Sequence, residues 1–281
     1  MTLEIRAMQA ADIDFAVTLT NEEGWDYGQE DFQRFRRMDP DGTLIAWEGS
    51  RRVGITTATA YEKATWIGNV IVESDQRGKG YGRALVKRAL RYGEERNAET
   101  AWLNAYADVE AFYAAMGFRT SGRTWRYEGR ADGRLSGEPR LVHVSELDDL
   151  RAFDSPFFGN ERSKVLAEFY HDYGDAFFVW SEEGIQGYAV GARYPRGMDV
   201  APWVALPERP DVAEGLLLHL IATFPGSQVA MAVPEENEAA LGMLRDLDFQ
   251  PVFETIRMVR GPGTGGIDPA GIFGLGGLEK G

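Results

Sequence analysis

The segment Gln76-Arg77-Gly78-Lys79-Gly80-Tyr81-Gly82-Arg83 follows an apolar run, 64–73, and leads into a helically periodic run, 80–96. Three glycines at alternate positions leave backbone N–H groups unobstructed, and the start of the helix adds the positive end of its dipole. Arg77, Lys79 and Arg83 add side-chain charge, so the loop suits a pyrophosphate. A Walker A loop needs Ser or Thr after Gly-Lys, whereas Gly80 follows Lys79 here. A dinucleotide fingerprint needs G-x-G-x-x-G, and this loop is G-x-G-x-G.

Working outward, period-two patterns predict strands at 2–7, 43–48, 52–61, 64–73, 100–106 and 118–127. Helices are predicted near 10–19, 29–38, 80–96 and 108–116. Residues 131–140 carry turn formers without periodicity and read as a linker. Beyond them the order repeats: strands near 141–144, 176–181, 186–193, 199–205, 227–232 and 249–260, and helices near 146–153, 160–172, 210–223 and 235–246. The run Ala111 to Phe118 has a counterpart at 242–249, with Tyr113 aligned to Leu244 and Gly117 to Asp248. Such self-similarity predicts two related halves. The stretch from Gly261 is glycine-rich, with Ile272, Phe273 and Leu275 as docking points.

The pattern R-x-x-G-x-G of Arg77, Gly80 and Gly82 resembles the coenzyme A loop of the GNAT superfamily of N-acetyltransferases. Tyr113-x-x-x-Gly117-Phe118 resembles the tyrosine-bearing helix end of that superfamily. The likeness covers residues 3–127 and, more loosely, 141–260. Gly24-Trp25, Trp66-Ile67-Gly68 and Phe158-Gly159-Asn160-Glu161-Arg162 are similar to its tandem group. The resemblance implies an α/β (α+β) fold of two tandem GNAT-like lobes, each a mixed central sheet flanked by helices. A catalytic domain at 1–130, a linker at 131–140 and a degenerate domain at 141–281 would follow, the last ending in the glycine-rich tail.

It further implies that strands 64–73 and 100–106 splay and admit acetyl-CoA as cosubstrate. Backbone groups of Val70, Ile71 and Val72 would then bond the pantetheine and thioester. Arg77, Gly78, Lys79, Gly80, Tyr81, Gly82 and Arg83 would hold the pyrophosphate. Tyr113 is the implied general acid, since a phenol with a pKa near 10 suits a thiol leaving group. Where many members have Asn seven residues before the tyrosine, this chain has Tyr106. Glu22, Trp25, Trp66 and Asn104 are the candidate acceptor-binding residues, and Glu22, Glu23, Asp26, Glu62 and Glu73 the candidate bases. In the second half Leu206-Pro207-Glu208-Arg209-Pro210-Asp211 stands where the glycine loop would be, which predicts a silent lobe.

Composition narrows the partners. Forty-four acidic residues against 30 basic ones give a net charge of −14, which repels nucleic acid and favours cationic amines. With no cysteine and three scattered histidines, neither a thiolate nucleophile nor a metal site is expected. No apolar run approaches the roughly 20 residues that span a bilayer, and no leader is visible, so the expectation is a cytoplasmic protein without membrane contact. A second lobe in place of a partner subunit predicts a monomer, though a dimer stays open. The expected activity is direct transfer of an acetyl group to a primary amine of a small molecule, amino acid or peptide. The alternative is a non-catalytic acyl-CoA-binding sensor or regulatory module.

Overall fold

The computed structural model describes residues 2–135, 139–194, 197–263 and 266–281. The first half runs β1 (Leu3–Ala7), α1 (Ile13–Glu22), α2 (Gln29–Met38), β2 (Thr43–Glu48), β3 (Arg51–Ala60), β4 (Ala64–Val72), α3 (Tyr81–Glu94), β5 (Thr100–Ala105), α4 (Glu110–Ala114) and β6 (Arg119–Gly129). The second runs β7 (Pro139–Leu141), α5 (Leu147–Phe158), α6 (Ser163–Tyr173), β8 (Phe177–Glu182), β9 (Gly184–Tyr194), β10 (Gly197–Ala205), α7 (Pro210–Thr223), β11 (Gln228–Pro234), α8 (Glu238–Asp246) and β12 (Gln250–Arg260). A short β13 (Ile272–Gly274) follows. The expected mixed sheet flanked by helices is present. Among the described residues no helix is long and apolar enough to cross a membrane.

All strands join one sheet, in the order β1-β2-β3-β4-β5-β12-β6-β11-β10-β9-β8-β7, with β13 beside β10. Among the described residues, only β4–β5 and β10–β11 pair in parallel. The order shows that the halves exchange their closing strands. β12 lies against β5, with Ile256 opposite Ala105, and β6 lies against β11, with Val233 opposite Trp125. The sequence pattern assigned 118–127 to the first half. Alternation reports which face a residue takes, not which strand lies beside it.

Local chemistry explains the element ends. The carboxylate of Asp31 accepts the Gly28 N–H at 2.8 Å and starts α2. Asn237 accepts the Ala240 N–H at 2.9 Å and starts α8. Helix α3 buries Leu85, Val86, Ala89 and Leu90 on the sheet, the stripe its period predicts. The internal repeat is geometric as well. The chain leaves α4 and α8 through left-handed residues, Gly117 (φ 87°) and Asp248 (φ 60°). Each helix end is then closed by a return bond, Phe118 N–H to Tyr113 O and Phe249 N–H to Leu244 O.

The stretch read as a linker, 131–140, does not hang free where it is described. Arg134 N–H bonds Leu218 O on α7, and a Cβ on Gly133 would strike Ala222. Residues 136–138 of that stretch lie outside the described residues, and Pro139 already begins β7.

Candidate active site

The β4–β5 ladder has only three rungs, Ala64–Thr100, Thr65–Ala101 and Trp66–Trp102. Beyond Trp66 the two strands part, and β5 continues its pairing with β12 instead. On its other edge β4 bulges against β3, where Ile55 faces Ile71 but Thr57 faces Gly68. Asn69 sits in this bulge at φ 50°, its amide donating to the Thr57 hydroxyl at 3.2 Å. A bulge twists its strand and re-aims the backbone. Val70, Ile71 and Val72 therefore lie where β4 has left the β5 ladder.

The glycine loop meets this gap at the start of α3. Gly78 and Gly80 take φ of 80° and 85°, and nothing lies within 4 Å of where a Cβ would stand on either. Glycine there serves the left-handed backbone and leaves open space above it. Gly82 faces Phe112 and Val72, which put an apolar floor beneath the loop. Arg77 donates to Val72 O at 3.0 Å and pairs with Glu23, while Lys79 donates to Gln76 at 2.6 Å. Tyr81 donates to Glu48, and Arg83 is exposed. Free N–H groups at a helix start beside three basic side chains are a fitting cradle for a pyrophosphate.

Tyr113 shares an apolar cluster with Ile67, Val70 and Leu103, the residues just past the last rung. Its ring packs edge-on against Phe112 and Phe118. Burial alone pushes its hydroxyl well above the ordinary tyrosine value. The phenol thus keeps its proton, and is a weaker acid than its sequence context suggested.

The other side of the gap opens on a cleft of about 520 Å³ between the two halves. Of the candidate acceptor-binding residues, Trp25 and Asn104 line it. Glu23 and Asp26 line it too, whereas Glu22 is exposed outside it and Glu62 is exposed elsewhere. Glu73 is taken up by an ion pair with Arg51 at 2.7 Å. Trp66 does not reach the cleft. It is fully buried, with its ring 6.0 Å from Trp102 and 6.4 Å from Phe158, and Gly281 packs against it. Both faces of β4 are covered, so an aromatic there is core whichever way it points.

The cleft's remaining wall comes from a segment that the motifs did not flag. Residues 275–281 run from the second half into the first. Leu275 N–H bonds Ala232 O on β11, and Leu278 O accepts from Asn104 at 2.9 Å. Lys280 O accepts from the buried Tyr61 hydroxyl at 2.6 Å. Gly281 O accepts from Arg162 at 3.1 Å, and Arg162 forms a buried two-pronged pair with Asp154 at 2.7 and 2.6 Å. The Phe158–Arg162 stretch is thus an anchor for this segment. Glu279 lies on β4 itself, since a Cβ on Gly68 would stand 2.2 Å from the Glu279 Cβ.

The equivalent gap in the second half is filled. β10 and β11 pair over three residues, and beyond them β13 pairs with β10, Trp203 opposite Gly274. With Leu275 bonded to β11, the chain's own backbone spans the gap. At the start of α7, Arg209 is held by Asp211 and Glu182 at 2.9 and 3.0 Å.

Residues 12–118 match the acetyltransferase (GNAT) family, and residues 150–271 match an acetyltransferase (GNAT) domain. The chain is a tandem GNAT protein. Over 244 residues this GNAT protein is 26% identical to holothin acyltransferase of Pseudoalteromonas sp. (strain SANK 73390), spanning 85% of this chain and 81% of that one. Its fold is similar to that of a Pyrococcus horikoshii protein assigned as an acetyltransferase, with a TM-score of 0.84 at 24% identity, over 99% and 96% of the two chains. A tandem GNAT protein from the clavulanic acid biosynthesis pathway aligns at a TM-score of 0.62 and 18% identity, over 92% and 98%. The GNAT family and the acyltransferase relatives place the chain among the acyltransferases.

Proposed function

We propose that this GNAT acyltransferase moves the acetyl group of acetyl-CoA directly to a primary amine of a small molecule, amino acid or peptide. One observation carries the reading: the open glycine loop at Gly78–Gly82 stands at the mouth of the β4–β5 gap, and that gap leads to the inter-lobe cleft. Loop N–H groups and Arg77, Lys79 and Arg83 hold the pyrophosphate, with Tyr81 beside them. Val70, Ile71 and Val72 offer backbone groups to the pantetheine and to the thioester oxygen as charge develops there.

The amine lone pair attacks the thioester carbon from the cleft, the C–S bond breaks, and the thiolate leaves. The amine's surplus proton passes to a cleft carboxylate or to water. Tyr113 donates a hydrogen bond to the departing sulfur. Its raised pKa keeps the proton on the phenol, so Tyr113 stabilises the thiolate through the hydrogen bond, and the sulfur takes its proton from water once coenzyme A has left.

Catalysis belongs to residues 1–130 on this reading, with 141–281 as the degenerate partner joined through 131–140. The filled gap beside β13 and the absence of a glycine loop before α7 support a single coenzyme site per chain. The protein acts as a monomer in the cytoplasm and needs no metal. The reading is tested by following free thiol release from acetyl-CoA across a panel of amines, amino acids and peptides. Acceptor-dependent release supports it, whereas acetyl-CoA binding with no release for any acceptor would leave the sensor reading in its place.

A further inference from the structure

The β4–β5 gap is closed at one end. Gly68 and Asn104 each stand two residues past the last rung, Trp66–Trp102, and both line the cleft. Each is covered by one residue of segment 275–281. Asn104 donates to Leu278 O at 2.9 Å, and a Cβ on Gly68 would stand 2.2 Å from the Glu279 Cβ and 2.6 Å from its Cα. Leu278 and Glu279 are chain neighbours, with Cα atoms about 3.8 Å apart, so one peptide unit spans the space between the two strands. That peptide is held in place. The Glu279 carboxylate is buried, ion-paired with Lys280 and bonded by the Tyr27 hydroxyl.

The other sides are closed as well. On the face away from the cleft, Ile67, Leu103 and Tyr113 pack in one apolar cluster with Val86 and Ala89 of α3. The Trp66–Trp102 rung forms the floor, its rings stacked 6.0 Å apart. What remains is a blind slot that opens toward Val70 and the glycine loop. A coenzyme A whose pyrophosphate rests at Gly78–Gly82 runs back along β4 from Val72 to Val70, so its acyl end points at the closed end of the slot. From Val70 to Gly68 a strand rises roughly 7 Å, which a thioester carbonyl and one or two further carbons take up. A longer chain has to turn into the cleft, among Glu23, Asp26, Arg126 and Asp199. An apolar chain there strips water from charged groups and offers them no hydrogen bond in return.

We propose that segment 275–281 sets the acyl length of the donor: the Leu278–Glu279 peptide ends the slot after two or three carbons, so the protein takes acetyl and propionyl thioesters and rejects longer ones. This rests on the coenzyme A reading and deepens it by naming the class of donor. The second half, which has no coenzyme site of its own, thereby supplies the end wall of the donor site in the first. Glu279 acts by packing on Gly68 and touches no reacting atom.

The test is calorimetric titration of the full chain with coenzyme A, acetyl-CoA, propionyl-CoA and hexanoyl-CoA, with no acceptor present. An open slot would reward each added methylene with burial, and affinity would climb with chain length. The closed slot predicts acetyl- and propionyl-CoA within about threefold of each other and hexanoyl-CoA about tenfold weaker than both. Glu279→Gly withdraws the Cβ and side chain from Gly68, and should raise the ratio of hexanoyl-CoA to acetyl-CoA affinity about tenfold. A general loss of structure weakens all four ligands alike and does not raise that ratio. Hexanoyl-CoA bound as tightly as acetyl-CoA by the native chain, or a folded Glu279→Gly with the native ratio, would overturn the proposal. The native series decides by itself if the variant does not fold. A chain that binds none of the four refutes the coenzyme A reading and this inference with it, whereas tight binding of all four refutes this inference alone.

Discussion

Asn104, on β5, donates a 2.9 Å hydrogen bond to the carbonyl of Leu278, 174 residues further along the chain. That bond ties the edge of the β4–β5 gap to a segment that arrives from the other half of the molecule. With Glu279 on Gly68 it makes residues 275–281 part of the candidate acceptor site.

Gly68→Ala should loosen this segment. The new Cβ would stand 2.2 Å from the Glu279 Cβ and 2.6 Å from its Cα, closer than any stable contact. Overpacking of this kind costs about 1–3 kcal/mol. The expected outcome is a lower thermal midpoint with faster amide exchange over 276–281. Unchanged exchange there would show that the segment does not rest on β4.

Arg162→Ala removes an anchor of the same segment and strands Asp154, which is buried beside it. Breaking a buried pair from one side costs about 3–5 kcal/mol. Chemical denaturation should report a loss in that range, and Arg162→Lys should recover only part of it because two-pronged geometry is lost.

Tyr113→Phe should lower acetyl transfer about 10- to 10²-fold, the worth of one hydrogen bond to a charged group, with little change in acetyl-CoA affinity. Because burial raises the hydroxyl in the folded state, Tyr113 does not ionise across the working range. No alkaline loss of rate should trace to it below about pH 10. The sign for stability agrees: above that pH the unfolded chain loses this proton first, so folding weakens as pH rises. Undiminished turnover in the variant would remove Tyr113 from the chemistry.

The acid side has its own marker. Hydrogen bonds from Arg140, at 2.8 and 2.6 Å, outweigh the smaller opposing effect of burial and hold the Glu146 carboxyl down to about 2. The folded pKa lies below the unfolded one. The stability this pair adds is therefore present above about pH 4.5 and is lost as pH falls toward 2. Glu146→Gln should flatten that part of the curve, as followed by thermal midpoints between these values.

What sequence could and could not reveal follows from range. The loop at 76–83 and the Tyr113–Phe118 helix end are local, so spacing alone exposed them, and both halves of the GNAT tandem were visible through their repeat. The strand exchange of β6 and β12 was invisible, because alternation in β6 is satisfied by β11 and β12 as well as by β5. Trp66 was read as a cleft wall, but β4 is buried on both faces and its aromatics carry no facing information. Glu279 had no signal at all. It sits in a glycine-rich stretch read only for its docking residues, and its role depends on contacts with Gly68 and Tyr27 more than 200 residues away. The filled second gap was half legible: the lost glycines at 206–211 predicted silence, while β13 as the plug did not show.

The proposed function requires one acetyl-CoA per chain, held by the first half. Calorimetric titration of the intact chain with acetyl-CoA tests it most directly, with Gly80→Ala and Arg209→Ala measured beside it. The expected result is a stoichiometry of one, affinity weakened in Gly80→Ala by the left-handed φ of 85° that alanine resists, and affinity unchanged in Arg209→Ala. Two sites per chain, or one that weakens with Arg209 and ignores Gly80, would contradict it.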